Sequence, residues 1–169
     1  MEKVILVNEN DEEIGTEEKL VAHQNGGKLH RAFSVFIFNS KGEVLLQKRV
    51  KEKYHSALLW TNACCSHPRP DEPLEIAVHR RLKEEMGFDC DLTEKFSFIY
   101  KIDFENGISE NEFDHVFIGK FDGEPKPDPK EVNEWQWIEM EKLKEDIKQN
   151  PEKYSHWFKD SLDKVLKHI

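Results

Sequence analysis

The sequence predicts an α+β fold, and three observations carry that prediction. Short runs of β-branched and aromatic residues recur along the chain, a helical stripe with start and stop signals lies mid-chain, and a second amphipathic stripe closes it. At 169 residues the chain is long enough for one sizeable core and too short for two, so a single domain over 1–169 is expected.

Val4 to Val7 reads as a short strand. Asn8 to Gly15 reads as a polar turn leading to Thr16, an N-cap residue type with Glu17 and Glu18 behind it, and predicts a short helix to about His23. Phe33–Phe38 and Val44–Arg49 flank the turn Asn39-Ser40-Lys41-Gly42 and predict a hairpin. Pro68 to Pro73 is a loop. Pro73 suits the first turn of a helix whose apolar stripe is Leu74, Val78, Leu82 and Met86, and Gly87 stops it. Phe96–Phe104 and Phe113–Phe121 are strand-like and joined around Asn106-Gly107, a second hairpin signal. Pro125, Pro127 and Pro129 make a stiff surface connection, since proline fixes its own backbone angle and donates no ladder bond. Trp135 to Ile138 is a short strand. From Asn150-Pro151 onward, Tyr154, Trp157, Phe158, Leu162, Val165, Leu166 and Ile169 recur at helical spacing.

Composition excludes several classes. A net charge of -9 argues against a nucleic-acid surface, because phosphate backbones are neutralised by Lys and Arg clusters. Three cysteines, two of them adjacent, make a poor disulfide framework, and no apolar run approaches the length of a membrane span. A reducing, cytoplasmic setting is expected.

The chemistry-bearing residues begin with Cys64-Cys65-Ser66-His67-Pro68, which places thiols beside a histidine. His23, His30 and His67, with Glu110 and Glu112, form a mixed nitrogen and oxygen donor set suited to Mn²⁺, Mg²⁺ or Zn²⁺ if the fold brings them together. In an extended segment Glu110 and Glu112 point to the same side. His55, His79, His115, His156 and His168 have no partner that the sequence identifies.

Ser66 to Phe88 resembles the Nudix signature, with Glu72, Arg80, Leu82, Glu84, Glu85, Gly87 and Phe88 in register. Two positions depart from it: Ser66 stands for the glycine, and Arg81 for a glutamate. Nudix hydrolases use the carboxylates of that helix to hold divalent cations on a diphosphate and activate water. Replacing one carboxylate by a guanidinium inverts the local field. Arg81 and Glu85 lie four apart, so the guanidinium can grip a diphosphate while Glu85 holds a Mg²⁺. The helix reads as retuned from cleaving a diphosphate to holding one.

Beyond that helix the chain resembles the type I isopentenyl diphosphate isomerases, which are Nudix-fold enzymes. The resemblance covers nearly the whole chain. It rests on Glu18-Lys19 with His23, Leu29-His30-Arg31-Ala32-Phe33-Ser34, Trp60-Thr61-Asn62, Cys65-Ser66-His67-Pro68, the helix to Gly87, and Glu110-Asn111-Glu112. It implies a Nudix-type catalytic domain with a central mixed β-sheet flanked by α-helices. The activity implied is a 1,3-allylic proton shift between isopentenyl and dimethylallyl diphosphate in isoprenoid biosynthesis, through a tertiary carbocation. Cys65 and Glu112 fall on the catalytic positions, with Tyr100 as an aromatic neighbour hydrogen-bonded to Glu112. The metal ligands fall on His23, His30, His67, Glu110 and Glu112, and a Mg²⁺ bound with the diphosphate falls to Glu85 and the backbone carbonyl of Cys65. Diphosphate recognition falls on Lys19, Arg49, Lys53, Ser66 and Arg81. Trp157 takes an active-site aromatic position, although its place on an apolar stripe also suits a core residue; Cys64 suits packing. The implied partner is a small prenyl diphosphate, with no nucleic acid and no membrane, on a monomer or weak homodimer. Two other readings stay open: a Nudix hydrolase, and a Nudix-fold binding module without turnover.

Overall fold

A computed structural model describes residues 1–169. The strands are β1 (Lys3–Val7), β2 (Glu13–Glu18), β3 (His30–Phe38), β4 (Glu43–Arg49), β5 (Trp60–Thr61), β6 (Cys64–Ser66), β7 (Leu92–Asp103), β8 (Ser109–Lys120) and β9 (Val132–Glu139). The helices are α1 (Lys19–Ala22), α2 (Leu74–Met86), α3 (Met140–Gln149) and α4 (His156–Leu166).

All nine strands join one mixed sheet whose hub is β3. This strand runs parallel to β8 from His30↔Glu112 to Phe38↔Lys120 and antiparallel to β6 at Ser34↔Cys65. The expected hairpin between β3 and β4 closes only at its turn, with the single register pair Phe38↔Val44. Beyond it β4 leaves to pair with β9 and β5, and the wedge between β3 and β4 is filled by Trp60–Ser66. Strands so short carry no readable period in sequence.

Side chains alternate across β3, so its two faces build two cores. Phe33, Val35 and Ile37 pack with Leu45, Phe117 and the α2 residues Val78, Leu82 and Met86. Phe36 and Phe38 face the other way, with Val44, Leu46, Val116, Leu143 of α3 and Phe158, Leu162 and Val165 of α4. The adjacent thiols divide in the same manner: Cys64 is buried in the α2 core, whereas Cys65 packs on the α4 side.

One expectation fails at the N-terminus. Residues 13–18 form β2, paired with β1 from Lys3↔Glu18 to Val7↔Glu13, and the helix after it is only Lys19–Ala22. Thr16 caps nothing; ladder hydrogen bonds with β1 outweigh the helix-start pattern. Helix α3 goes unread in the sequence because it is charged nearly all round, with Leu143 alone buried; Met140, Leu143 and Ile147 give its faint stripe.

Helix α2 ends as its glycine demands. Gly87 is left-handed at φ 73°, and its N–H bonds Lys83 O at 3.0 Å. The following loop then folds back on the helix end, with Lys126 N–H to Met86 O and Asp128 N–H to Glu85 O, both 3.0 Å. A Cβ at Gly87 would lie 2.1 Å from Lys126 O. Gly87→Ala is therefore expected to destabilise by more than the ~1 kcal/mol of a left-handed alanine, read as a drop in the urea midpoint. An unchanged midpoint would show that this loop is not clamped to α2.

Candidate active site

Strand register assembles the site. On β8, Glu110, Glu112 and Asp114 share one face by period-two alternation, and the ladders set His30 of β3 and Tyr100 of β7 opposite Glu112. The same face receives Cys65 from β6 and Trp157 from α4, and all but Asp114 and His30 line a common cavity.

His23, His30, His67 and Glu112 bring one donor atom each within 4.8 Å of one another, and all four are buried. A carbonyl oxygen only accepts, so the 2.7 Å contacts of His23 Nδ1 to Lys19 O and His30 Nδ1 to Lys28 O fix the protons on Nδ1. Both Nε2 lone pairs then aim inward. His67 Nε2 lies 2.9 Å from Glu112 Oε1 and 3.2 Å from His30 Nε2, and His23 Nε2 has no partner. Facing lone pairs around a carboxylate are stable only with a proton or cation between them, and this donor set fits a divalent ion. Burial pushes His23 down to about 4, aided by the charge of His30, and pushes His67 down to about 3 against the pull of Glu112. These imidazoles are neutral at physiological pH, the state a metal needs. Burial opposes charge on His30 as well, but Glu112 outweighs it and raises His30. Burial alone would raise Glu112; the His30 and His67 imidazoles beside it, at 3.4 and 2.9 Å, hold it well below the usual carboxylate range.

Glu110 stands apart from that quartet. Its Oε2 lies 3.0 Å from Tyr100 Oη and its Oε1 3.0 Å from His55 Nε2. Tyr100 Oη also reaches Glu112 Oε2 at 2.5 Å, so one phenol proton serves two carboxylates. Burial and the charge of Glu112 push Glu110 up.

Cys65 Sγ is held from three sides. It lies 3.0 Å from Asn62 Oδ1 and 3.5 Å from Ser34 Oγ, and Trp157 Nε1–H donates to it at 3.0 Å. Trp157 is thus both a core residue, 3 % exposed, and a contact of the thiol. Burial pushes the Cys65 thiol up, and the charge of Asp114 adds to it.

The basic residues line the mouth. Lys19 Nζ pairs with Glu2 at 3.2 Å, and Lys53 Nζ with Glu131 at 2.5 Å. Arg81 bonds Ser66 Oγ through Nε at 3.1 Å, Glu84 through Nη1 at 2.7 Å, and Glu85 through Nη2. Glu85 is 4 % exposed and also accepts from Gln47 Nε2 at 2.9 Å. Arg49 lies 5.1 Å over the Trp157 ring, and its buried Nε has no partner.

Three neighbours escape the sequence reading. His55, unpartnered in sequence, sets Nε2 3.0 Å from Glu110 Oε1 and stacks on Phe104 at 5.0 Å; burial, then Arg49, pushes it down to about 3. Asp114 is 1 % exposed and accepts from Ser34 Oγ at 2.8 Å; its register with Glu110 and Glu112 was the available signal. Glu131 bridges two cations and gives no sequence signal. Elsewhere His79 pairs with Asp89 at 2.6 Å, and His115 lies between Asp11 and Glu94 at 3.0 and 2.6 Å, away from the cavity.

A NUDIX domain family model matches residues 28–158. Isopentenyl-diphosphate Delta-isomerase 1 of Aromatoleum aromaticum is 52% identical over 165 residues, covering 98% of this chain and 93% of its own. The chain belongs to the isopentenyl-diphosphate Delta-isomerase family, within the Nudix fold. Isopentenyl-diphosphate Delta-isomerase 2 of Photorhabdus laumondii, another family member, is 52% identical over 162 residues, covering 96% of this chain and 91% of its own. Solved structures show the fold alone: the Deinococcus radiodurans protein DR0079 superposes with a TM-score of 0.78 at 20% identity, covering 99% and 98% of the two chains. A MutT protein from Methanosarcina mazei gives 0.67 at 21% identity, covering 83% and 94%.

The quartet predicts metal affinity independent of turnover. His67→Ala is expected to weaken Mn²⁺ or Zn²⁺ binding by more than the ~10–100-fold typical of outer-shell changes, measured by titration calorimetry on metal-stripped protein. Undiminished affinity would show that the cluster is not a metal site.

Proposed function

We propose that the chain catalyses the 1,3-allylic proton shift that interconverts isopentenyl and dimethylallyl diphosphate. The observation that carries this reading is the placement of Cys65 and of the Tyr100–Glu112 pair on one buried cavity whose mouth is lined by Lys19, Arg49, Lys53 and Arg81. Family membership over nearly the full length supports it.

An unactivated alkene is a weak base, so protonating it requires a positioned acid and a site that excludes water. In the proposed reaction the protonated form of Glu112, oriented by Tyr100 and made a strong acid by the imidazoles that hold its carboxyl low, delivers a proton to the terminal methylene carbon, leaving a tertiary cation at the branched carbon. Cys65, acting as a thiolate whose basicity its burial raises, then takes a proton from the carbon nearer the diphosphate and becomes the thiol, and the C–H electron pair becomes the internal double bond. The Trp157 ring faces the cation without offering a nucleophile. Asn62, Ser34 and Trp157 fix the sulfur, so it meets one carbon rather than trapping the cation. The quartet of His23, His30, His67 and Glu112 would hold a divalent ion, with Glu110 as a further donor beside it; such an ion would polarise the Glu112 carboxyl. A Mg²⁺ brought in with the diphosphate would be held by Glu85 and the Cys65 carbonyl, with Lys19, Arg49, Lys53, Ser66 and Arg81 on the phosphates. Arg81 also explains why the diphosphate would survive: it binds two carboxylates of α2 that hydrolysis would need for metals.

Incubation of the protein with isopentenyl diphosphate and Mg²⁺ in deuterated water is expected to give deuterated dimethylallyl diphosphate and no free phosphate. Phosphate release would point to hydrolysis, and binding without product to a module. Cys65→Ala is expected to lower kcat by about 10²–10⁴-fold, the span of a lost acid–base group. Cys64→Ala, in the opposite core, should keep kcat within a few-fold while lowering stability by roughly 1 kcal/mol; equal losses of kcat would exclude this assignment of the thiols.

A further inference from the structure

Glu131 precedes β9 in a turn that is pinned to the end of α2. Its N–H bonds Asp128 O at 3.0 Å, and Asp128 N–H bonds Glu85 O at 3.0 Å. Held there, the carboxylate offers one oxygen to each of two cations on different elements. Oε2 accepts from Lys53 Nζ at 2.5 Å, and Oε1 lies 3.5 Å from Arg81 Nη2. The three side chains are 26%, 27% and 17% exposed for Glu131, Lys53 and Arg81, so the bridge is screened less than a surface pair.

Lys53 and Arg81 are two of the four cations that the proposed function gives to the diphosphate. A carboxylate and a phosphate present similar oxygens to such donors. The cavity beneath them is about 60 Å³, room for a few waters and not for a prenyl diphosphate. An arriving anion competes with Glu131 for Lys53, and with Glu131, Glu84 and Glu85 together for Arg81.

We propose that Glu131 is a specificity-determining residue: it occupies Lys53 and Arg81 as an internal substitute for phosphate, so that only a ligand charged enough to displace it is bound. This rests on the diphosphate reading of the site. The device is a repulsive element set against weak anions, which selects as effectively as an added contact. A diphosphate can anchor one phosphate on Arg49 and Lys19 while the other displaces the carboxylate. A single phosphate group has no such second anchor.

Glu131→Gln keeps the side-chain size and removes the charge. On the metal-loaded protein, calorimetry with inorganic diphosphate and Mg²⁺ is expected to show Kd falling at least threefold, and with inorganic phosphate falling further, so that selectivity narrows. The KM for isopentenyl diphosphate should fall with kcat little changed. Glu131→Asp, one methylene shorter, should give an intermediate gain. Glu134→Gln, which removes an equal charge from the exposed pair with Lys48 at 3.1 Å, should leave both affinities unchanged. Weaker diphosphate binding in Glu131→Gln would make Glu131 a ligand or scaffold and overturn the proposal; so would equal gains at positions 131 and 134, or no change at either. Absence of diphosphate binding in the unsubstituted protein would overturn the diphosphate reading along with it, whereas unsubstituted protein that binds and turns over, with an indifferent Glu131→Gln, removes the proposal alone.

Discussion

The parallel ladder between β3 and β8 is the constraint on which the rest depends. It sets His30 opposite Glu112 and, by alternation, puts Ser34 and Asp114 on the same face. A slip of one residue would turn the carboxylates of β8 toward the α2 core, where Val78, Leu82 and Met86 offer no donors. The hydrophobic residues that fix the register, Phe33, Val35 and Ile37 on one side and Phe36 and Phe38 on the other, thus also fix the chemistry.

The divergence of β3 from β4 creates the site itself. Had the two strands stayed paired beyond Phe38↔Val44, β6 would have no place beside β3. Because they part, Cys65 is inserted edge-on to Ser34, and α2 reaches the gap with Arg81 and Glu85. Burying so many ionisable groups is tolerable only with partners. The three glutamates have them: Glu112 has two imidazoles and a phenol, Glu110 a phenol and an imidazole, and Glu85 a guanidinium and an amide. The polar network on the α4 side therefore stands in for hydrophobic core that those positions would otherwise hold.

The charge pattern of the mouth follows one logic. A Nudix helix with all its carboxylates gathers cations; Arg81 replaces part of that negative field by a positive charge, and Glu84, Glu85 and Glu131 neutralise it. The same chain is acidic overall and basic locally, so a net charge of -9 is compatible with the anionic ligand proposed for it.

Local signals settled what local physics governs. Gly87 ends α2 because only glycine takes φ 73° against the Lys126 carbonyl, and the stripe Leu74, Val78, Leu82 and Met86 reads directly as a buried helix face. The strands of the second hairpin were legible for the same reason, and family motifs marked Cys65, His67 and Glu112. Long-range pairing settled the rest. It made Glu13–Glu18 a strand where the acidic pattern favoured a helix start, and it gave Cys64 to one core and Cys65 to the other, which adjacent identical residues cannot reveal. It brought His55 to Glu110, Asp114 to Ser34 and Glu131 to Lys53, pairs separated by 55, 80 and 78 positions. The sequence by itself determined which residue types and turns were available. Only the tertiary structure decided which of them meet, because a sheet joins residues through register across strands, and register is a property of the whole packed fold.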